Sequence, residues 1–115
     1  MGSTVLTPFL FMNAVTASAT YTSGNIDYKY SEERLRSISG TRVDVNDVIL
    51  VLLETDVPVY GQNGVLTTTV VVTATATVFT SANGTNNSCV LQGPFTRVKI
   101  QKTGGSGAAT FVGIL

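Results

Sequence analysis

Apolar and polar residues alternate with a period of two along much of the chain. From Leu66 to Thr80 the even positions Leu66, Val70, Val72, Ala74, Ala76 and Val78 are apolar, whereas Thr67, Thr69, Thr73, Thr75 and Thr77 carry hydroxyls. That pattern predicts a strand with one face on a core and the other in water. Similar runs lie at Val15 to Tyr21, at Thr96 to Lys102 with Val98 and Ile100 facing inward, and at Ala108 to Leu115. Shorter strands are expected at Ile26 to Tyr30 and Leu35 to Ser39, and Ser31 to Arg36 has room for at most one helical turn. Turn sequences separate the runs: Ser23-Gly24-Asn25, Ser39-Gly40, Gly61-Gln62-Asn63-Gly64, Asn83-Gly84, Gly93-Pro94 and Gly104-Gly105-Ser106-Gly107. About eight strands and no long helical pattern predict an all-β fold. The expected form is one antiparallel β-sandwich domain over 1–115, either jelly-roll or immunoglobulin-like.

Two segments exceed what such a sandwich needs. Val48-Ile49-Leu50-Val51-Leu52-Leu53 is apolar on both pleat faces. If Val48, Leu50 and Leu52 fill the core, Ile49, Val51 and Leu53 require a second cover, from another layer or a neighbouring subunit. The Thr-rich run is also too long. Fifteen residues at about 3.3 Å each reach roughly 50 Å, against a diameter of roughly 35 Å for a domain of this size, so the strand must bend, break or project. At the N-terminus, Val5 to Val15 is apolar, but Pro8 and Asn13 interrupt it and the first basic residue is Lys29. It is expected to be a first strand of the mature protein and not a secretory signal. Val5, Leu6, Phe9 and Phe11, with Ile49, Val51 and Leu53, are therefore the candidate interface residues.

Composition supports sheet. Thr and Val, whose branched side chains favour strands over helices, supply about three residues in ten. Charged residues make up only 12% of the chain, about half the usual share, and seven Lys+Arg balance seven Asp+Glu. A surface with zero net charge favours association, and the scattered basic residues give no footprint for nucleic acid or an anionic membrane. No apolar run approaches the roughly 18 to 20 residues of a membrane-spanning helix.

The ingredients of common catalytic sites are missing. The chain has no His, and its lone Cys89 has no internal disulfide partner and reads as a small buried hydrophobe beside Val90 and Leu91. Asp44, Asp47, Glu54 and Asp56 are the one concentration of carboxylates. Their spacing matches no calcium loop; the Asp and Asn of Asp44-Val45-Asn46-Asp47 read as caps of a turn before the apolar strand, and Thr55-Asp56 as the same after it. Glu32 and Glu33 are adjacent and would diverge, and no hydroxyl nucleophile has a base to activate it. Gly104-Gly105-Ser106-Gly107 lacks the Lys-Ser/Thr continuation of a phosphate loop and reads as a hairpin turn. No enzyme activity, cofactor or metal is expected. Asn83-Gly84-Thr85 and Asn86-Asn87-Ser88 fit the glycosylation sequon and mark an exposed loop. That loop, with Tyr21, Tyr28, Tyr30 and Tyr60, defines a second reading, a carbohydrate- or ligand-binding module.

The segment Gly93 to Leu115, with its Lys102-Thr103-Gly104-Gly105-Ser106-Gly107 turn, resembles the C-terminal hairpin of small β-sandwich virion proteins of tailed bacteriophages. The Ala17-Ser18-Ala19-Thr20 strand, the Ser23-Gly24-Asn25-Ile26-Asp27 turn and the Thr-rich strand are similar in style. The resemblance implies a structural part without catalytic residues, assembled into virions in the host cytoplasm. It points first to a capsid decoration or cement protein packed in many copies beside the major capsid protein, and alternatively to a tail, connector or fibre component.

Overall fold

A computed structural model describes residues 8–26, 36–104 and 106–115. Eight strands appear among them: β1 (Pro8–Val15), β2 (Ala19–Thr22), β3 (Arg36–Arg42), β4 (Val48–Tyr60), β5 (Leu66–Phe79), β6 (Asn86–Leu91), β7 (Arg97–Thr103) and β8 (Ala109–Ile114). They form two four-stranded antiparallel sheets, β1-β8-β3-β6 and β2-β7-β4-β5. The expected all-β sandwich is therefore the observed fold. The chain nests its pairings: β1 with β8, β2 with β7, β3 with β6 and β4 with β5, as if one long hairpin had been folded over itself.

The inner faces of the sheets share one core. Phe11, Met12, Ile38, Leu91, Ala109 and Phe111 meet Ile49, Val51, Phe79, Val98 and Ile100. Phe79 and Phe111 stack across the gap with centroids 6.1 Å apart. Phe11 and Met12 are both buried although neighbours in a strand point to opposite faces, because β1 carries a bulge between Leu10 and Met12. Gly40 lies opposite Phe111, and a Cβ there would come within 2.3 Å of the Thr110 carbonyl oxygen. Only glycine allows that close approach of β3 to β8.

Several expectations change. In β4 the phase is inverted: Ile49 and Val51 are fully buried and Leu53 packs against the core, while Val48, Leu50 and Leu52 are half-buried on the outer face. Phase is ambiguous in a strand apolar on both faces, and pairing decides it. Ile49 and Val51 lie on the inner side with Val98 and Ile100 of β7, and Leu50 and Leu52 pair with Gln101 and Lys99, whose aliphatic stems shelter them. Ile49 and Val51 thus need no second subunit to cover them. Phe11 belongs to the core, whereas Phe9 is exposed and stands edge-on to Phe11 at 4.7 Å. The run Val15 to Tyr21 is not one strand, because the chain crosses between sheets at Thr16-Ala17-Ser18. The Asn-rich loop after Asn83 becomes strand β6. Val5, Leu6, the helical turn at Ser31 to Arg36 and the strand at Ile26 to Tyr30, beyond Ile26, lie outside the described residues.

Ile49→Ala is expected to cost about 2–5 kcal/mol by the loss of buried hydrocarbon and the cavity left behind, and Leu50→Ala about half as much or less. Chemical denaturation of both variants checks the phase of β4. Equal losses would contradict it.

Candidate functional site

Strands β4 and β5 outrun the layer beneath them. β4 has 13 residues and β5 has 14, while no strand of the opposite sheet exceeds 8. The β4–β7 pairing ends at Glu54–Arg97, and beyond it β4 pairs with β5 alone, from Thr55–Val72 to Tyr60–Leu66. The result is a two-stranded arm that extends past the sandwich and closes in a tight turn. Gly61 N–H donates to the Val65 carbonyl at 2.9 Å, Gly64 N–H donates to the Gly61 carbonyl at 2.9 Å, and Asn63 Oδ1 accepts from Val65 N–H at 3.1 Å. Gly64 supplies the left-handed residue with φ 77°.

The Thr-rich strand therefore projects, and its expected burial on one face does not occur. Of β5, only Phe79 is buried. Val57, Val59, Val70 and Val72 line the arm on the side continuous with the core, and Val70 and Val72 remain 46% and 49% exposed. Alternation puts Val70, Val72 and Ala74 on the core side as expected, but a register shift between Thr75 and Thr77 inverts the phase, so Val78 pairs with Leu50 on the outer face and Phe79 turns inward. What sequence could not reveal is that the opposite sheet stops short of Val70 and Val72. From Val57 through Thr96 the chain contains no Asp, Glu, Lys or Arg, so no charge defends the arm against association.

The root of the arm is braced by charge. Glu54 Oε1 accepts from Arg97 Nε at 2.7 Å, and Lys99 Nζ lies 2.9 Å from Glu54 Oε2. Arg97 also forks onto both carboxylate oxygens of Asp56 and reaches Asn25 Oδ1 at 3.2 Å. Lys99 and Arg97 hold the Glu54 carboxyl below its ordinary range, and Arg97 does the same for Asp56. The turn cap expected at Thr55-Asp56 is replaced by strand: Asp56, like Glu54, sits within β4 and is paired across the sheet. Asp56 N–H donates to Thr96 Oγ1 at 2.8 Å, the last link between arm and body.

At the other end of β5, Arg42 is buried without a carboxylate partner. Its guanidinium donates to Asn87 Oδ1 at 2.8 Å and to the carbonyls of Val45, Asp47, Phe79, Thr80 and Gly84. Four of these six acceptors belong to the connection from β5 to β6, and Val45 and Asp47 tie it to the loop between β3 and β4. Asp47 is fully buried with its carboxylate 3.4 Å from Lys102 Nζ, which also donates to the Thr16 carbonyl at 3.0 Å. Asp44 caps the turn as expected, accepting from Asn46 N–H at 2.9 Å.

No family model, curated protein or solved structure matches this chain. The site must be argued from its own geometry. Among the described residues no three His, Cys, Asp or Glu side chains converge as metal ligands, and no helix is long and apolar enough to cross a membrane. Cys89 is half-buried against the core, and burial pushes its thiol up, away from the reactive thiolate. Tyr21 packs on the core, and Tyr60 stands exposed near the tip of the arm. Tyr28 and Tyr30 lie outside the described residues.

The braced root gives a pH signature. A carboxylate whose folded pKa is depressed adds stability above its ordinary range, near pH 4, and that contribution fades as the pH falls through the lowered folded value. Arg97→Met should destabilise the wild-type fold at pH 7 and flatten the loss of stability on going below about pH 4. Denaturation midpoints between pH 7 and pH 2.5 check this, and parallel curves for the two proteins would refute the brace.

Proposed function

We propose that this chain is a structural component of a phage virion. Its most direct role is that of a capsid decoration or cement protein, present in many copies on a symmetric shell and held to the major capsid protein and to its own copies through the β4–β5 arm. The observation that carries the reading is the arm itself: an uncharged hairpin, stiff at its root, that exposes valines on the side continuous with the core. Exposed contiguous apolar surface marks an interaction site, and a hairpin anchored by ion pairs presents it at a fixed angle.

The nested strand order supports the same reading. It follows the plan of a jelly roll, two Greek keys wound into a double sheet, a plan used by viral capsid and lectin domains. Fold alone assigns no function, so the weight rests on the arm. Two side chains of the loop behind the carbohydrate-binding alternative are engaged within the fold: Asn83 Oδ1 accepts from Thr80 N–H at 2.7 Å, and the Asn87 side chain is tied to Arg42 and to the Asn83 and Gly84 carbonyls.

Immunogold labelling of virus particles purified from the host that produces this chain is expected to decorate their surface at regular intervals. Replacing residues 57–71 with a short turn should leave a folded protein that no longer incorporates. Absence of the full chain from purified particles would contradict the proposal.

A further inference from the structure

The edges of the two sheets are not alike. β1 is interrupted by two register shifts and turns through Ala14 at φ 52°, and β2 has only 4 residues. β6 has 6 residues, and its entry loop is clamped by Arg42. Within the arm, the free edge of β4 carries Pro58, which offers no N–H to a new neighbour. β5 is long and has neither proline nor a left-handed residue, and its own register shifts lie toward its ends. Between them, Thr68 to Thr75 pair regularly with β4 on one side and, among the described residues, with no strand on the other. Half of their backbone groups, about four N–H and four C=O, therefore point outward along an edge without charge or proline.

We propose that a second copy of this chain occupies that edge, with β5 pairing antiparallel to β5 of its partner about a two-fold axis near Val72. This rests on the assembly reading above and names the contact within it. Three observations favour a copy over another partner. An antiparallel edge is self-complementary under a two-fold axis, because each outward N–H and C=O meets its own counterpart. The absence of charge from Val57 through Thr96, together with zero net charge, gives no electrostatic address to a charged partner and no repulsion between copies. Finally, a two-fold axis normal to the sheet keeps inner faces on one side. The two arms then lie beside the opposite bodies, and Val57, Val59, Val70 and Val72 of each copy face the side where the partner's shorter sheet lies. One pairing satisfies the free ladder and shelters the core-side valines together.

The predicted continuous sheet runs β2-β7-β4-β5, then β5-β4-β7-β2 of the partner. The two outermost strands are seven spacings of about 4.8 Å apart, and Thr20, level with Val78 through Gln101 and Leu50, is also offset from the axis along the strands, so Thr20 of one copy lies roughly 35–47 Å from Thr20 of the other. Spin labels placed by Thr20→Cys in a Cys89→Ser background measure that separation. Sedimentation of the full chain, 12.1 kDa as a monomer, should show a two-copy species. Because Val72 is exposed, Val72→Lys and Val72→Glu should each fold, by circular dichroism, yet weaken the dimer at least about tenfold through like charges at the axis. An equimolar mixture of the two should restore it. A Thr20 separation well below 30 Å, or a dimer indifferent to both substitutions, would overturn the β5 pairing while leaving assembly intact. A chain that remains monomeric at several hundred micromolar would also overturn it, and particle labelling then decides the virion reading separately.

Discussion

Two packed sheets bury each other only where both are present. In this protein β4 and β5 continue after the opposite sheet has ended, and most other features follow from that mismatch. Alternating valines that would be core in a longer sandwich become surface, because no layer lies under them. Among the described residues nothing covers that surface or the free edge of β5. Arg97 binds Glu54 and Asp56 at the root and keeps the overhang rigid, while at the opposite, body end of β5 Arg42 gathers the backbone carbonyls where the chain turns toward β6.

Rigidity matters because binding by an ordered hairpin avoids the entropy of ordering a loose one. Buried cations normally seek carboxylates, yet Arg42 is neutralised by carbonyl oxygens and one amide. Removing it would orphan several buried acceptors at once, a cost far above that of a surface ion pair. Among the described residues Arg42, Asp47, Lys102, Glu54, Asp56, Arg97 and Lys99 hold the body and the root, and the stretch from Val57 through Thr96 carries no charge.

Much of the fold was legible in the sequence, for a physical reason. β7 and β8 alternate cleanly, so Val98, Ile100 and Phe111 declare their faces, and Gly-rich turns mark the strand ends. β4 did not declare its phase, since Ile49 and Leu50 are equally apolar and only the register with β7 separates them. β6 was hidden because Asn86, Asn87 and Ser88 have turn chemistry, and neighbouring β3 imposes the strand on them. The excess length of β5 pointed to projection, but the burial of its valines depended on the length of strands far away in sequence. Asp56 resembled a cap, and Glu54 showed no role, because their partner Arg97 lies more than forty residues on.

Hydrogen exchange along β5, followed as a function of protein concentration, tests the dependence of this structure on a partner most directly. The outward amides among Thr68 to Thr75 should exchange rapidly in dilute solution and become protected as concentration rises, while amides of β7 and β8 stay protected throughout. Outward β5 amides whose exchange does not change with concentration would contradict the account.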